Sequence, residues 1–421
     1  NCPIVASYSE VVRNNMNFPD KTKFIRPCLP FHRRSKLIKK LSEEFASLGI
    51  SEKEIVKAVK AADDELQSAK QDIRKKGEEI ISLLKMTGQK GIVLSGRPYH
   101  IDPAIHHGIN RIITQMGLAV LTEDSVAHIT EVQRPLRVLD QWAYHSRLYS
   151  AAEYTGTNPL LEFVQLTSFG CGIDSVTSDQ AAEILQKYNK KLTLLKIDEG
   201  SNLGAARIRL RSLKASMSDS IREHKQPVKF IQSNVRFTKD MKENHTILAP
   251  QMSPVHFNLL KEAMGSEGYR LHVLPAKDDS MVETGLRYVN NDSCYPSIII
   301  VGQIIQALNS GEYDKNKVSV IITQSGGGCR QSNYYALIKK ALSEAGYPYV
   351  PLISLSMLKK DTQPGFVLTV PLLHRAAMAL VYGDVFMRML LHTRPYEKTP
   401  GSAQKLYEYM KSAAYETIRS G

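Results

Sequence analysis

The sequence predicts an α/β protein with two Rossmann-like lobes, mainly parallel sheets and helical segments at both ends of the chain. Short continuous apolar runs, such as Gly91-Ile92-Val93-Leu94-Ser95, alternate with stretches of helical periodicity. This alternation is typical of parallel strands that helices bury on both faces. A strand–helix–strand unit occurs near residues 91–121 and again near 246–274. The 421 residues also exceed the size at which a single core usually stops growing, so more than one compact lobe is expected.

The chain divides into four segments by the character of its sequence. We expect a turn-rich and helical N-terminal segment, a first α/β lobe, a second α/β lobe and C-terminal helices, at residues 1–88, 89–225, 226–360 and 361–421 respectively. A polar stretch at the end of the second segment separates the two lobes.

The N-terminal segment begins with a region spaced by prolines and then contains one long predicted helix. Ser51 and Glu54 form a capping box at the start of this helix. Apolar residues follow at helical spacing, at Ile55, Val59, Ala62, Leu66, Ala69, Ile73, Ile80 and Leu84. This narrow apolar seam predicts a helix that packs on its own domain or on a partner helix.

The elements of the two lobes follow from apolar runs and helical periodicity. The predicted strands are residues 91–95, 118–121, 163–168, 192–197, 246–249, 271–274 and 318–322. The predicted helices are residues 106–116, 178–188, 254–264 and 333–344, followed by two long C-terminal helices at 371–389 and 401–419.

The net charge and the hydropathy of the sequence limit the classes of molecule that the chain is expected to bind. The net charge of +13 suits nucleic acid, a membrane surface or an anionic cofactor such as CoA or a nucleotide. The sequence contains no nucleic-acid motif, and much of the charge lies in short basic runs that are typical of solvated helix faces. It also lacks an apolar run of membrane-spanning length and a signal-peptide pattern at its start, which predicts a cytoplasmic protein without nucleic-acid or membrane partners. The first residue is not Met, which leaves open that the chain is part of a longer protein.

Three of the five cysteines share one predicted position, at a strand end or a helix start. Cys171 follows a strand, Cys329 lies between a strand and a helix, and Cys294 precedes a proline at a helix start. Ligands in open α/β sheets gather outside the carboxyl ends of the strands, where helix N-termini favour anionic groups such as metal-binding thiolates. Each cysteine alone suits core packing. Three at matching positions predict a shared metal or redox site between the lobes.

Glycines beside these cysteines favour a bulky inorganic group, because they let the backbone approach it closely. Glycines flank Cys171 on both sides. The residues directly before Cys329 are Gly326, Gly327 and Gly328. Structural zinc sites usually contain close cysteine or histidine pairs, which this sequence lacks. An iron–sulfur cluster with three protein thiolates and one open or exogenous position fits widely spaced cysteines better.

Several motifs resemble those of the acyl-CoA dehydratase activase-related family, which is similar to the D-component of 2-hydroxyglutaryl-CoA dehydratase. The motifs are Asn1-Cys2-Pro3-Ile4-Val5-Ala6-Ser7-Tyr8, Ser168-Phe169-Gly170-Cys171-Gly172-Ile173-Asp174, Lys196-Ile197-Asp198-Glu199-Gly200, Cys294-Tyr295-Pro296 and Gly326-Gly327-Gly328-Cys329-Arg330. The resemblance spans nearly the whole chain, and the segments around Cys171 and Cys329 are its most specific parts.

The resemblance implies an iron–sulfur protein of the 4Fe-4S type that works under anaerobic conditions. An ATP-hydrolysing activase module, in the same or another polypeptide, would deliver electrons at low potential to the cysteine-bound cluster, and acyl-CoA would be the substrate class. Cys2 would belong to a second cluster whose other ligands precede this chain. Cys28 matches no ligand motif and is expected to be a structural residue.

Two further groups are candidates for binding a substrate or an anion. Arg97, Tyr99 and His100 directly follow a predicted strand; the alternative is an ordinary turn with a hydrogen-bonded histidine. Ser325 and the three glycines after it suit a phosphate, although the loop lacks the Lys-Ser/Thr ending of a P-loop.

Two functions therefore remain open on the sequence. The first is a redox component that accepts electrons from an ATP-driven activase and is inactive alone, as part of an ATP-dependent reductase or acyl-CoA dehydratase-type enzyme. The second is a non-redox α/β binding or scaffold module that recognises CoA or a nucleotide and contains only buried cysteines. Absorbance near about 400 nm, typical of iron–sulfur charge transfer, distinguishes the two.

Overall fold

The computed structural model describes residues 3–19, 21–168, 170–200, 202–218, 235–275, 279–324, 333–356 and 363–420. Two four-stranded parallel sheets with helices between their strands form the protein, which confirms the predicted α/β fold with two lobes.

The elements are numbered in chain order. The helices are α1 Pro3–Asn15, α2 Arg34–Phe45, α3 Glu52–Thr87, α4 Ile109–Gln115, α5 Glu123–Val126, α6 Ala143–Thr157, α7 Gly172–Gln186, α8 Gly204–Ser218, α9 Lys239–Asn244, α10 Pro254–Gly265, α11 Ser280–Leu286, α12 Tyr295–Asn309, α13 Tyr334–Glu344, α14 Val370–Thr393 and α15 Ser402–Ser420. The strands are β1 Gly91–Ser95, β2 Ala119–Thr122, β3 Leu161–Thr167, β4 Thr193–Lys196, β5 Thr246–Ala249, β6 Leu271–Val273, β7 Val318–Gln324 and β8 Leu352–Ser356.

Both sheets have the same strand order. The first sheet is ordered β2-β1-β3-β4 and the second β6-β5-β7-β8, and every neighbouring pair is parallel. In each sheet the second strand along the chain lies on one side of the first strand, and the third and fourth strands lie on its other side. The strand order therefore reverses between β1 and β3 and between β5 and β7, the position at which open α/β sheets bind ligands.

The chain forms two compact units, each containing one sheet. The first unit comprises Asn1–Arg134, Asp140–Phe169 and Ala181–Gln226, and the second comprises Pro135–Leu139, Gly170–Gln180 and Pro227–Gly421. Residues 170–180, which include Cys171 and the first half of α7, thus group with the second sheet, although β3 before them belongs to the first.

The core of the first unit contains one face of the first sheet, packed against α4 and α8. Val164 and Leu166 of β3 share a buried cluster with Ile109 of α4 and Leu210 of α8. The helix α6 packs against β1 and β3.

The second sheet is covered by helices on both faces. Leu248 of β5 packs in a buried cluster with Ile304 of α12 and Leu337 of α13. Its neighbour Ile247 packs in another cluster with Leu372 of α14. Alternate residues of β5 thus face different helices, as the two-residue period of a strand requires.

Two glycines set the position of α12 against α11. A Cβ atom added at Gly285 of α11 would collide with the backbone of Ile298, and one added at Gly302 of α12 would collide with the backbone of Met281. The two helices therefore pack backbone to backbone. This contact fixes the place of α12, which begins directly after Cys294.

The long predicted helix is α3, and its capping box is confirmed. The Ser51 hydroxyl accepts from the Glu54 N–H at 3.3 Å, and the Glu54 carboxylate accepts from the Ser51 N–H at 2.9 Å. In the middle of the predicted seam, Leu66 and Ile73 are 51% and 40% exposed, so this part of the seam does not pack on its own unit. Among the described residues, the buried apolar side chains of α3 are Ile55 and Val59 near its start and Ile81 and Leu84 near its end.

The first residues of the chain, which the sequence left unassigned, also form a helix. The region spaced by prolines contains the helix α1 before its turns begin. Among the residues that the structure describes, no helix has both the length and the apolar character needed to cross a bilayer.

Candidate functional site

Cys171 lies directly before α7 in the second unit. The helix begins at Gly172, about six residues earlier than the sequence predicted. The N–H groups of Asp174 and Ser175 donate to the Cys171 carbonyl at 2.9 and 3.2 Å, and the side chain of Cys171 is half-buried. Cys171 therefore stands at a helix N-terminus, where backbone N–H groups lack partners within the helix.

Cys294 is the N-cap residue of α12. Its extended backbone turns into the helix, Pro296 lies in the first turn, and the Ser297 hydroxyl donates to the Cys294 carbonyl at 2.7 Å. The half-buried Cys294 Sγ lies 3.2 Å from the Tyr334 hydroxyl, at the first residue of α13. The predicted helix start is thus confirmed, but the cap is the cysteine itself and not, as the sequence indicated, a residue before it.

A serine pair brings the surroundings of the two cysteines together. The hydroxyls of Ser175 and Ser293 lie 2.8 Å apart. Ser175 is one helical turn after Cys171, and Ser293 directly precedes Cys294. Two helix N-termini that each present a thiol therefore meet within the second unit.

Further bonds fix this arrangement. The Asn290 amide, in the turn before α12, donates to Asp179 of α7 at 3.1 Å. Lys340 of α13 lies 3.9 Å from the other oxygen of the Asp179 carboxylate. The Leu139 N–H donates to the Asn333 side chain, directly before α13, at 2.9 Å. Three elements around the cysteines are therefore joined by hydrogen bonds and one ion pair.

The first half of α7 is unusual because its buried side chains are mostly polar. Asp174, Ser175, Thr177, Ser178 and Gln180 are all buried. Buried polar groups need partners, and the hydroxyls of Ser175, Thr177 and Ser178 donate to carbonyls of α7 itself. The helix therefore satisfies these three hydroxyls with its own backbone.

Several predicted site residues lie outside the described residues. They are Cys329, Ser325, Gly326, Gly327, Gly328 and Cys2. Within the described ranges, no group of three or more His, Cys, Asp or Glu side chains is arranged to hold a metal ion. The convergence of the three thiols stays a prediction.

The described cysteines fit the chemistry of an iron–sulfur ligand set. Cys171 and Cys294 are free thiols, and thiolates are the ligands of such clusters. A Cβ atom added at Gly170 would meet nothing within 4 Å, so there is open space beside Cys171. Cys28, which was expected to be a structural residue, is exposed and lies outside helices and strands, between Pro27 and Pro30.

The other predicted group, Arg97, Tyr99 and His100, lies after β1 in the first unit. The Arg97 N–H donates to His100 Nδ1 at 3.0 Å, and both His100 Nε2 and the Tyr99 hydroxyl lie 3.4 Å from the Ser168 hydroxyl. Burial, and then the charge of Arg97, lowers the pKa of His100 to about 4. His100 is thus a neutral, hydrogen-bonded residue, and whether the segment binds an anion stays a prediction.

Sequence reasoning missed the residues that join the cysteine surroundings. Ser175, Ser293 and Tyr334 are common residue types, and their contacts link positions far apart in the chain. One signal was available, because the residues after Cys171 are Gly-Ile-Asp-Ser-Val-Thr-Ser, a weak start for a surface helix. This composition indicated an unusual environment for the start of α7, but it did not identify Ser293 as the residue that Ser175 contacts.

The fold and these residues define a parallel α/β protein of two units, in which two cysteines stand at adjoining helix N-termini. Comparison with known proteins adds a family. Residues 1–126 match the family described as a CoA enzyme activase uncharacterised domain. This match supports an acyl-CoA dehydratase activase-related family, the one that the motifs resemble. Cys171, Cys294 and Cys329 lie outside the matched residues, and neither a curated protein nor a solved structure matches the chain.

Proposed function

We propose that the chain is the iron–sulfur redox component of an acyl-CoA dehydratase activase-type system, with Cys171, Cys294 and Cys329 as ligands of a 4Fe-4S cluster. The observation that carries this proposal is the hydrogen bond between Ser175 and Ser293, because it brings two thiol-bearing helix N-termini together. The cluster would supply one-electron transfer at low potential.

The local electrostatics support a thiolate-bound anion at this place. The first turns of α7 and α12 each present N–H groups without intrahelical partners. The positive end of each helix dipole lies at the same helix end, so both features favour a negative charge there. Hydrogen bonds to cluster and cysteine sulfurs are one of the means by which proteins set a reduction potential. The Tyr334 hydroxyl, 3.2 Å from Cys294 Sγ, is placed to make such a bond.

The third ligand is proposed from chain length and topology. Cys329 lies between the end of β7 and the start of α13, five residues before Tyr334. Five residues of extended chain span at most roughly 17 Å, and Tyr334 already contacts Cys294. The chain length therefore allows Cys329 to reach Cys294, and the proposal joins both to Cys171.

The electron source is proposed to be an ATP-hydrolysing activase module on another segment or protein. The family match supports an activase-related system. The sequence contains no Gly-Lys dipeptide and hence no P-loop, and the proposal gives ATP hydrolysis to the activase module. The net charge of +13 would favour association with an acidic partner or with an anionic acyl-CoA substrate.

Anaerobic reconstitution tests the proposal. The chain is loaded with iron and sulfide, mixed with a cognate activase, MgATP and a reductant, and followed by its absorbance near about 400 nm. We expect bleaching only when activase and ATP are both present, and none with a non-hydrolysable ATP analogue. Bleaching with ATP but no activase would contradict the assignment of ATP hydrolysis to another module. A chain that binds no iron would instead favour the non-redox binding module.

A further inference from the structure

The first unit has its own site of strand-order reversal, and it carries unpartnered polar groups. The carboxyl ends of β1 and β3 are adjacent there, with Ser95 paired in register to Gln165. Among the described residues, Gln165 Oε1, Thr167 Oγ1 and both ring nitrogens of His145 are buried without a hydrogen-bond partner. A buried polar atom without a partner lowers the stability of the folded state and is uncommon. Several such atoms in one region therefore indicate a ligand that would bind to them.

Strand alternation places two of these side chains on one face of the sheet. Val164 and Leu166 face the apolar cluster with α4 and α8. Gln165 and Thr167 alternate with them along β3 and therefore face the opposite side. The helix that packs on β1 and β3 and lies outside that cluster is α6, so these two side chains face α6.

The position of His145 follows from the tight connection between α6 and β3. The helix ends at Thr157 and the strand starts at Leu161, so the two run antiparallel. They are similar in length, at about 22 and 23 Å, which places the first turn of α6 over the carboxyl end of β3. His145 lies in that first turn and is 2% exposed. A buried side chain at this point faces the sheet, near Thr167.

A positive charge lies close to this group. Arg97, half-buried after β1, lowers the pKa of both His100 and His145, although burial is the larger cause in each case. The pKa of His145 falls to about 3, so its ring is neutral and offers one N–H donor and one acceptor. The first N–H groups of α6 add donors, because Trp142 provides no side-chain cap.

We propose that the first unit binds a phosphate group at the carboxyl ends of β1 and β3, held by Arg97, His145 and Thr167. A helix N-terminus with a neighbouring arginine is a common phosphate site. Phosphate also matches the unpaired atoms, because its oxygens accept from His145 and Thr167 while a protonated oxygen can donate to Gln165. This site goes beyond the redox proposal, since it uses no cysteine and lies entirely in the first unit.

Calorimetric titration of the full chain tests this site, with inorganic phosphate and a nucleoside 5′-monophosphate as separate probes and acetate for comparison. We expect phosphate to bind and acetate to bind at least ten-fold more weakly. Stronger binding of the nucleotide than of inorganic phosphate would identify a nucleotide as the source of the group, and equal binding would identify free phosphate. Either result supports the proposed phosphate site, because both probes carry the phosphate group.

Variants locate the bound phosphate. Thr167→Val and Arg97→Gln should each weaken binding at least ten-fold. Thr155→Val is the matched control, because its buried hydroxyl donates to the Ala151 carbonyl near the other end of α6, and it should leave binding unchanged. If Thr167→Val fails to fold, as judged by circular dichroism, Arg97→Gln decides alone. The absence of phosphate binding by the unaltered chain, or unchanged affinity in Arg97→Gln, would overturn the proposal.

Discussion

At the scale of single residues, burial governs the chemistry of Glu123, directly after β2. This carboxylate is 2% exposed and accepts a hydrogen bond from Arg147 at 2.9 Å. Burial raises the pKa of Glu123 to about 7, although the charge of Arg147 opposes the shift. Glu123 therefore holds its proton in the folded protein at pH values where the unfolded chain has already lost it.

This shift predicts a specific dependence of stability on pH. Between about pH 4.5 and 7 the folded state binds more protons than the unfolded state, so Glu123 lowers the free energy of unfolding as the pH rises through this window. The full effect is up to about 3 kcal/mol, at 1.36 kcal/mol per pKa unit. The substitution Glu123→Gln removes this pH dependence, because an amide does not titrate. Urea denaturation at pH 5 and pH 8 should show the variant gaining stability relative to the unaltered chain at the higher pH.

An exposed carboxylate of the same unit provides the control for this measurement. Glu131 is exposed, and Glu131→Gln should follow the pH dependence of the unaltered chain. Equal pH dependence in Glu123→Gln and the unaltered chain would show that Glu123 is ionised throughout the range.

At the scale of elements, the packing of α11 against α12 controls where Cys294 lies. Gly302→Ala places a methyl group against the Met281 backbone, so the helices must separate and the start of α12 must move. We expect a loss of at least about 2 kcal/mol in unfolding free energy, since overpacking typically costs 1–3 kcal/mol. If the proposed cluster forms, the iron bound per chain after reconstitution should fall as well.

A glycine without close neighbours is the matched control for Gly302. A Cβ atom added at Gly265, the last residue of α10, meets nothing within 4 Å. Gly265→Ala should therefore leave stability and iron content close to those of the unaltered chain. Similar behaviour of the two variants would mean that the close approach of α11 and α12 does not position the site.

The elements also show which parts of the fold a sequence can predict. Apolar runs of β-branched residues identified β1 and β5 at the bounds that the structure has, because strands buried on both faces are continuously apolar. The helix α6 went unnoticed. It buries His145, Glu153 and Thr155 together with its apolar residues, so no apolar stripe of helical period marks it.

The candidate site was predictable only in part. Pro296 and a capping residue before Cys294 indicated a helix start; the structure has the start there, but Cys294 itself is the cap. The bond between Ser175 and Ser293 joins residues 118 positions apart, and only the folded topology brings them together. In α3 the periodic seam indicated a face that packs on its own domain or on a partner helix, and Leu66 in this seam is exposed. Periodicity shows an apolar face without showing what covers it.

At the scale of the whole molecule, two units repeat one strand order but carry different residues at the reversal point. In the first unit, the phosphate site proposed above uses Arg97, His145 and Thr167 at this point. The corresponding strands β3 and β7 lead to Cys171 and Cys329 respectively. The repeated strand order would thus supply one proposed cluster ligand after each of these strands, and the phosphate site is proposed at the first reversal point alone.

The central claim is that Cys171, Cys294 and Cys329 hold one cluster, and a cysteine series read by iron content and electron paramagnetic resonance tests it most directly. Each of the three is replaced by Ala in the full chain, with the exposed Cys28 replaced as the control. After anaerobic reconstitution and reduction, we expect about four irons and one cluster signal per chain for the unaltered protein and for Cys28→Ala, as a 4Fe-4S cluster requires. The variants Cys171→Ala, Cys294→Ala and Cys329→Ala should each lose most of the bound iron and most of the cluster signal. Full iron content and an unchanged signal in Cys171→Ala, Cys294→Ala or Cys329→Ala would contradict the claim.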